Sequence, residues 1–167
     1  MGITNSNKQI NVSQITCNET FKVTLALSAA PDIAANPTDI ILVLDRSGSM
    51  AGSPLANMKL GAKTFIDIID EATDRSKDGN IGSGSHIGIV SFSDDATADT
   101  QLITSVNALK NAVDALSAGG STNHAGGSTN HAAAFTKATE LFDPASANGK
   151  VIVMFTDGKT TAGLPAS

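Results

Sequence analysis

Between residues 21 and 28, Phe21, Val23, Leu25 and Leu27 alternate with Lys22, Thr24, Ala26 and Ser28. A period of two predicts a half-buried strand, and residues 12–16 are its expected hairpin partner. The first ten residues are polar, show no such period and are expected to be loose. Pro31 and Asn36-Pro37 then interrupt the pattern, as a linker would. Residues 1–37 thus read as an N-terminal β segment with its linker, and residues 38–167 as the main domain.

The pattern changes after the linker. Ile40-Ile41-Leu42-Val43-Leu44 is a continuous apolar run, the mark of a strand covered on both faces of a parallel sheet. Ser53-Pro54 reads as a helix start, with Ser53 as N-cap. Leu55, Met58, Ala62, Phe65, Ile66 and Ile69 follow on one helical face. A polar loop over residues 74–85 leads to a second strand at residues 86–92 and a weaker, edge-type strand at 96–104. Val106, Leu109, Val113 and Leu116 mark a second helix. Phe135, Ala138, Leu141 and Phe142 mark a third, stopped by Asp143-Pro144. The last strand covers residues 150–155 and is capped by Thr156-Asp157-Gly158. Strands alternating with helices predict an α/β domain built on a mainly parallel sheet.

Such a sheet binds ligands outside the carboxyl ends of its strands, which is where Asp45-Arg46-Ser47-Gly48-Ser49 falls. One carboxylate and two hydroxyls recur at every second residue. In an extended segment they would project to one side and offer oxygen donors to a hard cation such as Mg2+. Asp157 stands at the end of the last strand. Between these two strand ends, Ala-Gly-Gly-Ser-Thr-Asn-His occurs twice in tandem, at residues 118–124 and 125–131. It contains no large apolar residue, so it reads as a duplication that lengthens a surface loop.

Composition narrows the function. The chain has 167 residues, enough for one domain plus an extension, and a core that must be aliphatic, since it contains six Phe and no Trp or Tyr. A net charge of −5, with no basic stripe or aromatic platform, argues against nucleic-acid binding. The single Cys17 cannot form an internal disulfide, and no run of 18 apolar residues is present to span a membrane. Residues 1–6 lack a signal-peptide pattern. Asn11-Val12-Ser13 and Asn18-Glu19-Thr20 fit the glycosylation pattern. Asp74-Arg75-Ser76-Lys77-Asp78-Gly79 resembles the start of a calcium loop but has Ser85 where a bidentate Glu is required, so it reads as a polar turn. His86, His124 and His131 are too few convergent donors for zinc and read as solvated. Gly158-Lys159-Thr160 lacks the upstream glycine of a phosphate-binding loop.

Asp45-Arg46-Ser47-Gly48-Ser49-Met50, then Gly-Gly-Ser-Thr-Asn, then Phe155-Thr156-Asp157-Gly158, in that order, resemble the von Willebrand factor type A domain family of the bacterial surface-protein type. The resemblance covers residues 39–158. It implies a doubly wound, Rossmann-like fold with a metal-ion-dependent adhesion site. Ser47 and Ser49 would bind the ion through their hydroxyls, Asp45 and Asp157 directly or through water, and one threonine would complete the protein's set. Thr129 is chosen because Asn130-His131-Ala132-Ala133-Ala134 runs straight into a helix. Thr122 is the alternative, but the His124-Ala125-Gly126-Gly127 after it cannot start a stable helix. The implied ion is Mg2+, with Mn2+ or Ca2+ as alternatives.

The implied function is a non-enzymatic, cation-dependent adhesion or protein-binding module that captures an Asp or Glu of a partner, in an extracellular or cell-surface setting. The alternative is a cytoplasmic accessory subunit docking an ATPase of the metal-chelatase kind. The family's last strands and helices have no counterpart before Ser167, so the domain reads as incomplete at its C-terminus, with the last strand as an exposed apolar edge.

Overall fold

The structure, a computed structural model, describes residues 2–10, 23–30, 36–119, 128–158 and 161. The chain divides into two compact units, Met1–Asp32 and Ile33–Ser167. In the first, β1 (Gly2–Ile10) pairs antiparallel with β2 (Val23–Ala30), from Gly2 opposite Ala30 to Ile10 opposite Val23. The register shifts between Ile3 and Asn5. Residues 2–10, expected to be loose, are therefore a strand. Backbone pairing holds them in the ladder, and it leaves no trace in hydrophobic periodicity. Residues 12–16, expected to take that place, lie outside the described residues, as do Cys17 and both Asn-x-Ser/Thr sites.

The second unit carries β3 (Thr38–Asp45), α1 (Ser53–Asp74), β4 (His86–Phe92), β5 (Ala96–Ala98), α2 (Val106–Ala115), α3 (His131–Leu141) and β6 (Gly149–Phe155). The sheet order is β5-β4-β3-β6, with β3 parallel to both β4 and β6 and β5 antiparallel to β4. The apolar run 40–44 is the central strand, and all five residues are buried. Ile40, Leu42, Leu44, Ile87 and Ile89 pack with Met58, Ala62, Ile66 and Ile69 of α1 and with Leu109 and Val113 of α2. Ile41, Val43, Val90 and Phe92 pack with Ala134 and Ala138 of α3. Helices thus cover both faces of a mostly parallel sheet, the doubly wound arrangement.

Local departures from expectation have physical causes. Gly52, at φ 83°, is the cap of α1, and Ser53 is the first helical residue; the reversal needs a left-handed residue, which glycine adopts most readily. Phe135 is 45% exposed, and α3 meets the sheet through Ala134 and Ala138, whose small side chains allow close approach. The edge strand shortens to β5. Beyond it the Thr100 hydroxyl accepts the Ile89 N–H at 3.0 Å, and Ile103 forms an isolated bridge with Ile87. Among the described strands, β6 ends the sheet on one side, with Val151 43% exposed.

The connection from β3 through α1 leads to β4 on one side, and the chain returns to β6 on the other. The carboxyl ends of β3 and β6 therefore flank the point where the connections diverge, and a crevice opens there.

Candidate functional site

Asp45 is the last residue of β3 and is fully buried. Its Oδ1 accepts the Ser47 N–H at 2.8 Å and its Oδ2 accepts the Thr156 hydroxyl at 2.6 Å. Among the described residues it makes no ion pair. A buried carboxylate is costly even when hydrogen-bonded unless a positive charge offsets it, and no described side chain supplies one to Asp45.

The serines reach the same place by a turn and not by an extended segment. Ser47 (φ −57°, ψ 169°) precedes a short 3-10 turn at Gly48–Met50. Met50 N–H bonds to the Ser47 carbonyl at 3.0 Å, and Ala51 N–H to the Gly48 carbonyl at 3.2 Å. The turn folds Ser49 back over Ser47. Their hydroxyl oxygens lie 3.1 Å apart, and Ser49 donates to Asp157 Oδ1 at 3.0 Å. Ser47 is buried, whereas Ser49 and Asp157 are exposed, so the cluster runs from an interior base to an open rim.

Thr129 completes the arrangement and is 5% exposed. A methyl built on Gly158 would stand 3.7 Å from the Thr129 hydroxyl and 4.0 Å from that of Ser49, which puts both hydroxyls against the same small space. The residue there has no side chain, so the space stays open. The structure thus brings together Asp45, Ser47, Ser49, Thr129 and Asp157. Thr122 lies outside the described residues.

Further residues shape the site. Thr156 holds the second oxygen of Asp45. Arg46 donates through Nη1 to the Gly119 carbonyl at 3.0 Å, and its own carbonyl accepts the Gly119 N–H at 2.9 Å. Thr129 N–H donates to the Thr161 hydroxyl, and Thr161 N–H to the Thr129 carbonyl, both at 2.8 Å. Asn130 caps α3, its Oδ1 accepting the Ala133 N–H at 3.0 Å. The helical pattern after Thr129 pointed to this cap, but nothing in the local sequence announces Arg46 or Thr161. Beside the cluster lies a groove of about 380 Å³ lined by Met50, Met58, Met154 and Phe155, with Thr156 and Asp157 at its edge.

The fit to a hard cation can be tested on these distances. An octahedral ion with oxygens at 2.0–2.1 Å separates neighbouring ligands by about 2.9 Å. The separations of 3.1 and 3.0 Å from Ser49 to Ser47 and Asp157 match such edges. Among the described residues no group of three or more His, Cys, Asp or Glu is placed to hold a metal, so the donor set is dominated by hydroxyls.

The other candidates resolve differently. His86 is not a solvated loop residue. Its Nδ1 lies 2.9 Å from Oδ1 of buried Asp39, at the opposite end of β3, where Asn148 and Ser146 also donate to Asp39 at 2.9 and 3.1 Å. His131 sits edge-on to Phe92, with ring centroids 5.6 Å apart. Asp74 and Asp78 accept the N–H groups of Ser76 and Asn80, each at 2.9 Å, as turn residues do. His124, Lys159 and Thr160 lie outside the described residues.

Comparisons with known proteins agree with this fold. The model of the von Willebrand factor type A domain matches residues 40–159. A comparison with curated protein sequences finds no match. Among solved structures, the chain resembles the vWF domain of the type V pili tip protein Mfa5 from Porphyromonas gingivalis, with 20% identity, a TM-score of 0.61, and 74% of this chain and 38% of that one covered. It resembles proximal thread matrix protein 1 from the mussel byssus, solved with a zinc-occupied MIDAS motif, with 24% identity, a TM-score of 0.56, and 75% and 30% covered. It also resembles BatB from Bacteroides thetaiotaomicron, a conserved hypothetical protein, with 20% identity, a TM-score of 0.54, and 70% and 52% covered. The chain spans little more than half of the last of these, and less of the other two. With the family model covering most of its length and the same fold recurring in these structures, the protein belongs to the von Willebrand factor type A domain family.

Proposed function

We propose that this domain is a non-enzymatic binding module that uses a divalent cation, Mg2+ by preference and Mn2+ or Ca2+ as alternatives, to capture an Asp or Glu carboxylate of a partner protein. When bound, the ion supplies an electrophilic centre with an open coordination position. Ser47, Ser49 and Thr129 would present neutral hydroxyl oxygens, and Asp157 would act from the rim. Asp45, with both oxygens already accepting hydrogen bonds, would hold Ser47 in place and balance charge from beneath. Neutral donors withdraw little of the ion's charge, which leaves it receptive to an outside carboxylate.

The observation that carries this reading is the buried Asp45, without an ion pair among the described residues, beneath oxygens spaced as octahedral neighbours. A surface setting is supported by the likeness to a pilus tip protein and a byssus matrix protein, and no described helix is long and apolar enough to cross a membrane. The test is a thermal-shift titration with Mg2+ and with Mn2+. The wild type should gain stability at saturating ion, and Asp45→Ala and Ser49→Ala should not. Equal shifts in all three proteins, or none in the wild type, would refute the reading.

A further inference from the structure

We propose that Asp94 is a positioning residue for this site. Its carboxylate, on the loop after β4, sets where the Thr129 hydroxyl stands. The inference rests on the ion-site reading and assigns a role to a residue outside the motif-bearing segments.

Thr129 lies between two residues tied to that loop. On one side, Asp94 Oδ1 accepts the Ser128 N–H at 2.8 Å and also accepts the Ser128 hydroxyl. On the other, Asn130 N–H donates to the Ser93 carbonyl at 2.9 Å, and Asn130 Nδ2 to the Asp94 carbonyl at 3.0 Å. One carboxylate oxygen gathering two donors from a single residue makes a charge-assisted anchor, roughly twice as strong per bond as a neutral one. The start of α3 does not need it, because Asn130 caps that helix with its own side chain. The Asp94 carboxylate bonds are placed one residue before the hydroxyl that faces the cluster, so its effect falls on the direction of Thr129. Asparagine at position 94 would keep an acceptor oxygen, and alanine would not.

The test is a double-mutant cycle read by Mn2+ affinity and by water-proton relaxation, which reports the number of waters on the bound ion. Loss of a residue that orients a metal ligand typically costs about 10–100-fold in affinity. Asp94→Ala should therefore weaken Mn2+ binding about 10-fold or more and add a water to the bound ion, as Thr129→Ala should. Asp94→Asn should restore affinity to within about threefold. The Asp94→Ala/Thr129→Ala double variant should bind no more weakly than Thr129→Ala alone, because the two changes remove the same contact.

Wild-type affinity in Asp94→Ala, or effects that multiply in the double variant, would overturn the proposal. If Asp94→Ala does not fold, Ser128→Ala carries the test: weaker binding with an added water supports it, and unchanged affinity overturns it. If the wild type and Asp45→Ala bind Mn2+ alike, the ion reading itself fails and the inference falls with it.

Discussion

The Thr156 hydroxyl donates a 2.6 Å hydrogen bond to Oδ2 of Asp45, joining the carboxyl ends of two adjacent parallel strands 111 residues apart in sequence. The other carboxylate oxygen is held by the Ser47 N–H. Neither bond is solvent-facing at the Asp45 end, where exposure is nil.

Removing one partner of a buried polar group costs its desolvation, about 1–3 kcal/mol and more when the group is charged. Thr156→Val preserves shape and deletes the hydroxyl, which donates to Asp45 and accepts the Gly158 N–H at 3.2 Å. Urea unfolding of the metal-free protein should show a loss of at least about 1 kcal/mol, and Thr156→Ser should recover most of it. Stability equal to wild type in Thr156→Val would show that this bond does not support Asp45.

Asp39 should govern the acid limb of stability. Burial alone would raise its pKa, but hydrogen bonds from Asn148, His86 and Ser146, with the charge of His86, outweigh burial and hold it below the usual carboxylate value. A folded-state pKa below the unfolded one gives stability that is fully present above the unfolded value of about 3.9. That stability is lost as pH falls through the folded value. Asp39→Asn should therefore flatten the decline in unfolding free energy between neutral pH and about pH 3. An acid limb identical to that of the wild type would contradict this.

Asp70 has the opposite sign. It is 3% exposed, and its Oδ1 has no hydrogen-bond partner among the described residues. Burial first, with Asp78, Asp74 and Asp67 nearby, raises its pKa, against a 3.3 Å bond from Gly79 N–H that lowers it. Its ionised form thus costs stability above the raised folded value, and the cost disappears as pH falls through that value towards about 3.9. Asp70→Asn keeps an acceptor for Gly79 and removes the charge. It should be at least as stable as wild type at neutral pH, and the difference should shrink on acidification; a less stable variant at neutral pH would count against this account.

The duplicated loop offers a discriminating pair. Thr122→Ala should leave cation affinity unchanged, and Thr129→Ala should lower it about 10-fold or more. Deleting residues 118–124 leaves one complete Ala-Gly-Gly-Ser-Thr-Asn-His, with a Gly to meet Arg46 and a Ser-Thr-Asn to meet Asp94 and Thr161. Mn2+ binding should therefore survive in that deletion variant. Equal effects of the two threonine substitutions would show that either copy can serve the site.

Much of this was legible in the sequence because it rests on local pattern. The continuous apolar run of residues 40–44 marked the central strand, and the order of Asp45, Ser47, Ser49, Thr129 and Asp157 marked where the site would form. The hydroxyls converge for a different reason than spacing suggested: the chain turns at Gly48–Met50, and a turn can bring i and i+2 together as an extended segment does not. Thr156, Arg46, Asp94 and Thr161 were not legible as supports. Their bonds join loops 32 to 111 residues apart, and such pairings are set by sheet order, which periodicity does not encode. The strand at Gly2–Ile10 escaped for a similar reason, since its ladder engages backbone whatever the side chains.

The two parallel ladders on either side of β3 have a mechanical consequence. β3 is bonded over seven registered pairs to β4 and over seven to β6. The cluster stands at the carboxyl ends of β3 and β6. Consider tension applied there along the strand axes. Their hydrogen bonds would then be loaded together in shear rather than opened one by one, and a rupture under force would have to break the whole ladder at once.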